Sequence, residues 1–286
     1  MKRERLPLKR RLYSCILTTF IWLCVAAVMS LLTGLLGYVL YRGIGHITWP
    51  LLSTARSALR DTIGILPNII FTLYVVFTTL LIALPVGVGA AIFLTEYAKN
   101  RRLVRVIEFT IETLAGIPSI IYGLVGYLVF VRMLGRPSIL AGSLTLAVLV
   151  LPMIVRTTQE ALKTVPNTYR EGSAALGATK WHSIRTIILP SSADGIVSGI
   201  LLSIGRIVGE SAALLFTAGV GHVLVTNYFE ALHTSGGTLT VSLFIYATEH
   251  GKFDVAFAIA SILIFIVLAL NISTKLLKRK LRREGL

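Results

Sequence analysis

Two charged residues lie inside a long apolar stretch of the chain, where charge is costly. Arg206 and Glu210 are four positions apart, and residues at that spacing share one face of a helix. At the centre of a membrane, an arginine costs about 2.5 to 3.5 kcal/mol unless its side chain faces protein or water. We therefore expect this face to line a transport path, with a purely structural ion pair as the alternative.

The face that carries these charges is otherwise made of small or polar residues at helical spacing. It runs through Gly195, Gly199, Ser203, Arg206, Glu210, Ala213 and Thr217. The two glycines favour close packing against a neighbouring helix, because small residues let membrane helices approach each other. Packing alone needs no ions, so the charged pair is the candidate for function.

A second candidate region is an apolar stretch with Glu108, Glu112 and the interruption Gly116-Ile117-Pro118-Ser119. Pro118 removes a helix hydrogen bond and leaves nearby carbonyl groups free. Non-helical backbone at membrane depth occurs where it lines a cavity or is buried in protein. The pattern predicts a broken helix that places Ser119 on a transport path, and a proline kink without solute contact fits the sequence equally well.

These regions flank a polar segment, residues 156–190, whose helix boundaries are marked by particular residues. The markers are Pro166, Thr168, Glu171, Gly177 and Pro190. Proline suits the first turn of a helix, and threonine and glutamate three positions apart have capping-box spacing. Glycine permits a sharp exit, and the last proline predicts the end of a second helix over 178–189. We expect a helix, a bend and a helix outside the lipid, presented to a soluble partner.

The composition is that of a polytopic membrane protein, with 55% hydrophobic and 14% charged residues. A helix of about 20 apolar residues can span a bilayer. We expect an all-α fold with one transmembrane domain, 15–274, between a basic N-terminus, 1–14, and a basic tail, 275–286. The six expected spans are Cys15–Tyr41, Asn68–Thr95, Ile107–Val131, Ile139–Val155, Ala193–Val220 and Val255–Thr274.

A net charge of +15 raises the question of a nucleic-acid partner, but the basic residues are segregated along the chain. Of 28 lysine and arginine residues, 21 lie at 2–11, 99–105, 156–185 and 275–283, all on one side of the predicted spans. Cytoplasmic loops of membrane proteins are enriched in these residues, so both termini and the polar segment are predicted to face the cytoplasm. The charge therefore indicates orientation and attraction to anionic membrane lipid, and we expect no nucleic-acid partner.

The polar segment resembles the EAA loop of ABC importer permeases, and residues 156–190 are called the EAA loop below. In that family a Glu-Ala-Ala, Gly and Ile-x-Leu-Pro signature docks into the ATPase subunit, and the spacing here matches in full. Gly172 and Ser173 stand where the signature has two alanines, and both are small. The resemblance assigns ATPase docking to Glu171, Ala174, Ala175, Gly177, Ile187, Leu189 and Pro190.

Three further segments resemble the PstA family of phosphate-specific transport permeases. They are residues 93–98, residues 114–123 and residues 206–219, the last reading Arg-x-x-Gly-Glu-Ser-Ala-Ala-Leu-Leu-Phe-Thr-Ala-Gly. Family members often carry Thr-Ala-Pro where this chain has Ser-Ala-Ala at 211–213. The resemblance implies a plasma-membrane subunit of an ATP-driven phosphate importer. Its partners would be a homologous permease, PstC, two copies of the ATPase PstB, and the phosphate-binding protein PstS.

Phosphate as the cargo agrees with the chemistry of the charged face. The guanidinium of Arg206 offers a fork of donors that fits phosphate oxygens. Ser203, Ser211 and Thr217 are expected to add hydroxyl donors along the path. Glu210 is expected to hold Arg206 in place and to keep it from trapping the anion.

The chain has no Gly-x-x-x-x-Gly-Lys-Ser/Thr segment, so we expect it to be no enzyme and to bind no cofactor. ATP and Mg²⁺ would be used by the partner ATPase. Residues 221–254 are expected to form an external cap or a docking surface for the binding protein. Their histidines lack metal-ligand spacing, and Cys15 and Cys24 fall on nearly opposite faces of one helix, so neither a metal site nor a disulfide is expected.

Three other functions remain open from the sequence. The same machine could carry another oxyanion, such as sulfate or molybdate. A secondary transporter or channel that acts alone would also use six spans and a central ion pair, although the EAA loop disfavours it. A scaffold that passes phosphate status to a signalling kinase is compatible with transport.

Overall fold

The structure is a computed structural model that describes residues 8–57 and 62–283. The basic stretches expected at 1–14 and 275–286 therefore lie partly outside the described residues. So do four basic residues used for the predicted orientation, Lys2, Arg3, Arg5 and Arg60.

The described chain is almost entirely helical, with one short hairpin between the first two long helices. The elements are α1 Leu8–Ile44, α2 Trp49–Ser53, β1 Ala55–Ser57, β2 Thr62–Ile65, α3 Leu66–Ile92, α4 Arg101–Ala115, α5 Ser119–Gly126, α6 Arg132–Leu134, α7 Ile139–Lys163, α8 Asn167–Ala175, α9 Lys180–Ser183, α10 Leu189–Gly209, α11 Ala212–Thr217, α12 Tyr228–Leu232, α13 Leu239–Thr248 and α14 Phe253–Arg283. The strands pair antiparallel, with Ala55 opposite Ile65. Three π-helical turns extend or join helices, at Phe93–Tyr97, Tyr127–Val131 and Ile184–Ile188.

Within the described residues, five helices are long and apolar enough to cross a membrane, and a bent pair gives a sixth if it counts as one span. The five are Tyr13–Ile44, Leu66–Tyr97, Ile139–Lys163, Lys180–Gly209 and Phe253–Leu276. The expected all-α membrane architecture is therefore confirmed. The predicted fourth span is about two turns too short, because the helix continues past Val155 to Lys163.

The predicted third span, Ile107–Val131, is a bent pair of helices, as the interruption at 116–119 indicated. α4 and α5 meet at 98° around residues 116–118, far more than a proline kink. The Tyr122 hydroxyl donates to the Leu114 carbonyl at 2.8 Å and ties the two arms of the bend together. The predicted interruption is confirmed, and α4 is an amphipathic helix without a fully buried residue.

The predicted fifth span, Ala193–Val220, is wrong as a single helix. α10 ends at Gly209, Glu210 takes an extended conformation with φ −82° and ψ 122°, and α11 begins two residues later. Glu210 Oε1 accepts a hydrogen bond from the Ala213 N–H at 3.2 Å and so caps α11. The predicted stripe of small and polar residues therefore ends at this break.

α7 is the central helix of the fold and packs against α3, α5, α10 and α11. Its contact with α10 depends on small residues, as predicted. A Cβ atom added at Gly195 would lie 2.5 Å from the Ala161 Cβ, and one at Gly199 would lie 2.2 Å from Thr157 Oγ1. Close helix packing is thus confirmed as the role of these two glycines.

α1 lies at the edge of the bundle, and no residue of its most apolar window is buried in this chain. Its C-terminal part packs on α14. The rings of Tyr38 and Phe257 meet edge to face at 5.7 Å, and the Ser261 hydroxyl donates to the Val39 carbonyl at 3.3 Å. The rest of the helix offers an apolar surface to lipid or to another protein.

Residues 221–254, expected to form an external cap, fold back into the bundle. Leu239, Val241 and Tyr246 on α13 are buried, and the Asn68 side chain donates to the Gly237 carbonyl at 2.6 Å. The segment is therefore part of the core at the end of the bundle away from the EAA loop. This end is called the opposite end below. Its role in docking a binding protein stays a prediction.

Candidate functional site

The EAA loop forms a helix, a tight bend and a second helical run, as predicted. α8 ends at Ala175, and Gly177 has a φ of 77°, in the left-handed region that favours glycine. The Gly177 N–H donates to the Ala174 carbonyl and the Ala178 N–H donates to the Ser173 carbonyl, both at 3.0 Å. These bonds form a Schellman motif, which satisfies the last carbonyls of α8 and directs the chain back.

Two details of the predicted loop are wrong. Thr168 lies within α8, and Pro166 at the cap makes no side-chain hydrogen bond, so there is no capping box. The second helix also fails to stop at Pro190, because the π-helical turn joins α9 to α10. In that turn the Leu189 N–H bonds to the Ile184 carbonyl five residues back. The shifted register admits a proline, which has no N–H to satisfy.

Arg170 anchors the loop to the bundle with all five of its N–H donors. Nε and Nη2 donate to Glu96 Oε1 at 3.1 and 2.7 Å. Nη1 donates to the Val165 carbonyl at 2.8 Å and to Asn167 Oδ1 at 3.3 Å, and Nη2 also donates to the Leu162 carbonyl at 3.0 Å. The Glu96 side chain is 6% exposed and that of Arg170 is 23% exposed. Such a multiply bonded arginine fixes orientation as well as distance.

Further contacts hold the two arms of the loop together. The Ser173 hydroxyl, where the signature has alanine, lies 2.7 Å from the Ser183 hydroxyl in a buried contact. The Lys180 ammonium donates to the Glu96 carbonyl and lies 5.1 Å from the centre of the Tyr97 ring. The departure from the signature therefore has a structural use, since the serine crosslinks α8 to α9.

The outer surface of the loop is apolar and exposed. Leu176 at the tip is 90% exposed, and Tyr169 in α8 and Trp181 in α9 are both more than half exposed. The predicted docking residues divide into an exposed set, Glu171, Ala174, Ala175 and Gly177, and a partly buried set, Ile187, Leu189 and Pro190. None of these three large apolar residues was among the predicted docking residues, although Leu176 directly precedes the turn glycine Gly177 and could have been found from that position. Clustered exposed apolar groups indicate a protein contact.

Ion pairs attach α4 to α7 at the same end of the molecule. Glu108 Oε1 accepts hydrogen bonds from Lys163 Nζ at 3.4 Å and from the Gln159 side chain at 3.2 Å. Arg156 lies 3.8 Å from Glu112. These two glutamates, assigned from sequence to the third span, thus pair with basic residues of α7 near the EAA loop.

Arg206 lies exposed in the last turn of α10, beside the broken third span. It is close enough to Tyr122 for its charge to act on the phenol. The predicted ion pair with Glu210 is absent from the described residues, because Glu210 turns away to cap α11. The Glu210 carbonyl accepts a hydrogen bond from the Thr240 hydroxyl at 2.9 Å, which fixes the break.

The predicted path hydroxyls fall into two groups. Ser203 and Thr217 are fully buried, and each donates to the carbonyl four residues before it, at 2.9 and 2.8 Å. Ser211 and Ser119 are partly exposed at the starts of α11 and α5, the two short helices that follow the breaks. These helices pack closely, since a Cβ atom added at Gly123 would lie 2.8 Å from Ala213 Cα.

The opposite end of the molecule carries a cluster of aromatic and basic groups. Arg56 Nη1 lies 3.3 Å from His250 Nε2, and the Arg56 guanidinium stands 5.8 Å from the centre of the Tyr246 ring. Burial, and then the charges of Arg56 and His250, lower the pKa of the half-buried His222 below its usual 6.5. Among the described residues, no cluster of three metal-ligating side chains occurs.

The fold and these sites are typical of multi-pass membrane subunits that present a loop to a soluble partner protein. The family model described as "Binding-protein-dependent transport system inner membrane component" matches residues 83–283, and the chain belongs to that family. Its members are the permeases of ABC importers, which are not themselves enzymes and which work with an ATPase and a substrate-binding protein.

Relatives from several bacteria match most of the chain. "Phosphate transport system permease protein PstA 1" of Mycobacterium tuberculosis is 34% identical over 284 residues, 96% of this chain and 91% of the relative. "Probable ABC transporter permease protein YqgI" of Bacillus subtilis is 37% identical over 214 residues, 74% of this chain and 73% of the relative. A bacterial alginate ABC transporter structure matches with a TM-score of 0.63 at 17% identity over 98% of both chains. The MetNI methionine ABC transporter matches with a TM-score of 0.58 at 21% identity, over 82% of this chain and 96% of that one.

Proposed function

We propose that this chain is the permease subunit of an ATP-driven importer that moves inorganic phosphate inward across the plasma membrane. The observation that carries the proposal is the EAA loop, which is anchored by Arg170 and presents the exposed Leu176 to a partner. Phosphate is inferred from the relatives named as phosphate transport permeases, which match the chain over nearly its full length.

The assembly follows from the same relatives and from charge. The chain pairs with a homologous permease of the PstC type on a PstB-type ATPase dimer, and a PstS-type protein delivers phosphate. Because the basic stretches and the EAA loop fall on one side of the predicted spans, we place the EAA-loop end and both termini in the cytoplasm. The ATPase supplies the nucleotide site, and this chain binds no cofactor.

Force passes from the loop into the bundle through the contacts of Arg170. When the ATPase closes, α8 and α9 move as one unit, because the Ser173 to Ser183 contact joins them. Arg170 carries that movement to the end of α3 through Glu96 and to the end of α7 through the Leu162 carbonyl. α7 packs against α5 and α11, so the displacement reaches both broken spans.

The broken spans form the phosphate path in this proposal. Arg206 is exposed beside the bend of the third span, and its guanidinium supplies the donors for a phosphate oxyanion. Ser119 and Ser211 add hydroxyls from the helix starts on either side. Ser203 and Thr217, buried in this conformation, become path residues when the helices rearrange. Glu210 fixes the start of α11 and so sets where the path turns.

The substitution R206Q tests the path. Phosphate uptake by the reconstituted complex should fall at least about a hundredfold, because the neutral amide cannot replace the cation that offsets a buried anion. R206K keeps the charge without the fork and should retain part of the uptake. Assembly with the ATPase, measured by co-purification, should be unchanged in both variants. Wild-type uptake by R206Q would overturn the assigned role.

The alternatives separate in the same preparation. Competition by sulfate or molybdate at concentrations equal to phosphate would favour another oxyanion as the cargo. Flux by the isolated chain without ATP would favour a secondary transporter. We expect neither result, because the EAA loop matches permeases that depend on a partner ATPase.

A further inference from the structure

A cavity of about 600 Å³ opens beside the EAA loop, and the mechanism above assigns no ligand to it. Its walls are the π-helical turn after α3, the first half of α4, the end of α7 and the start of α8. The exposed tip at Leu176 does not line it, so an occupant would leave the ATPase-docking surface free.

The walls of the cavity carry an excess of positive charge. The charged residues that line it are Arg101, Arg105, Lys163, Arg170, Glu96 and Glu108. Both carboxylates already have cationic partners, at 2.7 Å for Glu96 with Arg170 and 3.4 Å for Glu108 with Lys163. Within the described part of the chain, the side chains of Arg101 and Arg105 have no hydrogen-bond or ion-pair partner. Two guanidinium groups are thus available to a ligand.

The arrangement of these donors matches an oxyanion. Arg101 and Arg105 are one helical turn apart and therefore share a face of α4. Thr95 also lines the cavity, and its buried Oγ1 has no hydrogen-bond partner among the described residues. Guanidinium forks bind phosphate oxygens in a bidentate manner. The cavity is large enough for a phosphate group with part of the molecule that bears it.

We infer that this cavity binds a phosphate group and that its occupancy regulates coupling. Glu96 and Arg170 form part of the wall, so a bound phosphate competes with Glu96 for the Arg170 guanidinium. The EAA loop is then held less firmly, and ATPase closure is transmitted less well. The inference rests on the proposed function, which places the cavity on the cytoplasmic side of the membrane. Free phosphate and an anionic lipid headgroup share this chemistry.

The first experiment measures binding without transport. The purified complex of the permeases and ATPase is placed in nanodiscs of neutral lipid, without binding protein, and its unfolding midpoint is followed against inorganic phosphate, since a ligand stabilises the state it binds. In R101Q/R105Q, the phosphate concentration for the half-maximal shift should rise at least about tenfold. R102Q, on the same helix but outside the cavity, should respond as wild type does, and R101K/R105K should keep most of the response.

The second arm identifies the source of the phosphate group. Nanodiscs with phosphatidylglycerol are compared with neutral ones, in the absence of free phosphate. A midpoint that responds to phosphatidylglycerol, and less so in R101Q/R105Q than in R102Q, assigns the cavity to a lipid headgroup. A response to free phosphate alone with the same variant pattern assigns it to soluble phosphate.

Two results would overturn the inference. One is an equal response of R101Q/R105Q and R102Q to both additions. The other is a phosphate response that R206Q abolishes and R101Q/R105Q leaves intact, which would place binding on the transport path. Because these readouts need no uptake, they are independent of whether R206Q blocks phosphate transport.

Discussion

The ion pair of Arg170 at the EAA-loop end and those of Asp254 at the opposite end differ in burial and in hydrogen bonding. At the EAA-loop end, Arg170 uses five donors and pairs with Glu96, whose side chain is 6% exposed. At the opposite end, Arg42 and His46 lie 3.8 and 3.7 Å from Asp254, and all three side chains are about half exposed. Exposed pairs at such distances add little stability, whereas removing one partner of a buried, multiply hydrogen-bonded pair is strongly destabilising.

This difference fits the proposed direction of force, from the EAA loop into the bundle. A partner that pushes on a loop needs stiff contacts behind the loop, or the movement is lost in local bending. At the opposite end, where a binding protein would release a solute, the ion pairs of Asp254 are open to water. In the proposed mechanism, the EAA-loop end therefore transmits force and the opposite end adapts to the binding protein.

The largest effect should come from removing the anchor of the loop. R170A leaves Glu96 buried without a partner and should lower the free energy of unfolding by about 3 kcal/mol. R42A, at the opposite end, should cost at most about 1 kcal/mol, since its pair is exposed. Denaturant unfolding in detergent measures both. Equal losses in the two variants would contradict the contrast between the ends.

The next effect concerns the apolar tip. L176D should weaken association with the ATPase about thirtyfold, because an apolar anchor at the centre of an interface is typically worth about 2 kcal/mol. V223D places the same charge on an exposed apolar residue at the opposite end and should leave association unchanged. Quantitative co-purification measures the outcome. If only V223D weakened the association, the ATPase would bind the opposite end of the molecule, which would contradict the proposed docking surface.

Substituting two glycines that have positive φ distinguishes an effect of backbone strain from an effect on ATPase coupling. Gly177 in the EAA loop and Gly251 at the opposite end have φ values of 77° and 61°, and neither Cβ position is blocked. G177A and G251A should therefore each cost about 1 kcal/mol. ATPase activity stimulated by transport should fall in G177A alone. G172A, in the helix of the same loop, should be neutral or slightly stabilising.

The smallest effect is a pH dependence at the opposite end. The lowered pKa of His222 means that the unfolded chain takes up the proton first as the pH falls. This contribution to stability is complete above about pH 6.5 and is lost as the pH drops through the folded pKa. H222Q should reduce the change of the unfolding midpoint between about pH 7 and pH 5. H233Q, at an exposed histidine, should leave that change as it is in the wild type. A stronger dependence of the unfolding midpoint on pH in H222Q would contradict the stabilising role given to the neutral His222.

Local signals in the sequence were sufficient for much of the fold. Hydropathy located the spans, and Pro118 and Gly177 marked a break and a turn that the structure contains. These features depend on neighbours along the chain, so a local pattern predicts them. Close packing at Gly199 was predicted for the same reason, since a small residue at helical spacing permits it.

Contacts between distant residues could not be predicted in this way. Arg170 and Glu96 are 74 positions apart, and nothing in either neighbourhood indicates the pair. The break at Glu210 was missed because no proline marks it, and it is stabilised by the Thr240 hydroxyl from 30 residues away. The assumed i, i+4 pair failed since it required a continuous helix through Glu210.

The central claim is that force enters this chain through the tip of the EAA loop on the cytoplasmic side. Cysteine crosslinking tests it most directly, with L176C introduced after the exposed Cys15 and Cys24 have been replaced by serine. In membranes that contain the assembled complex, L176C should crosslink to the ATPase and should resist a membrane-impermeant thiol reagent added outside. Labelling from outside, with no crosslink to the ATPase, would contradict the claim.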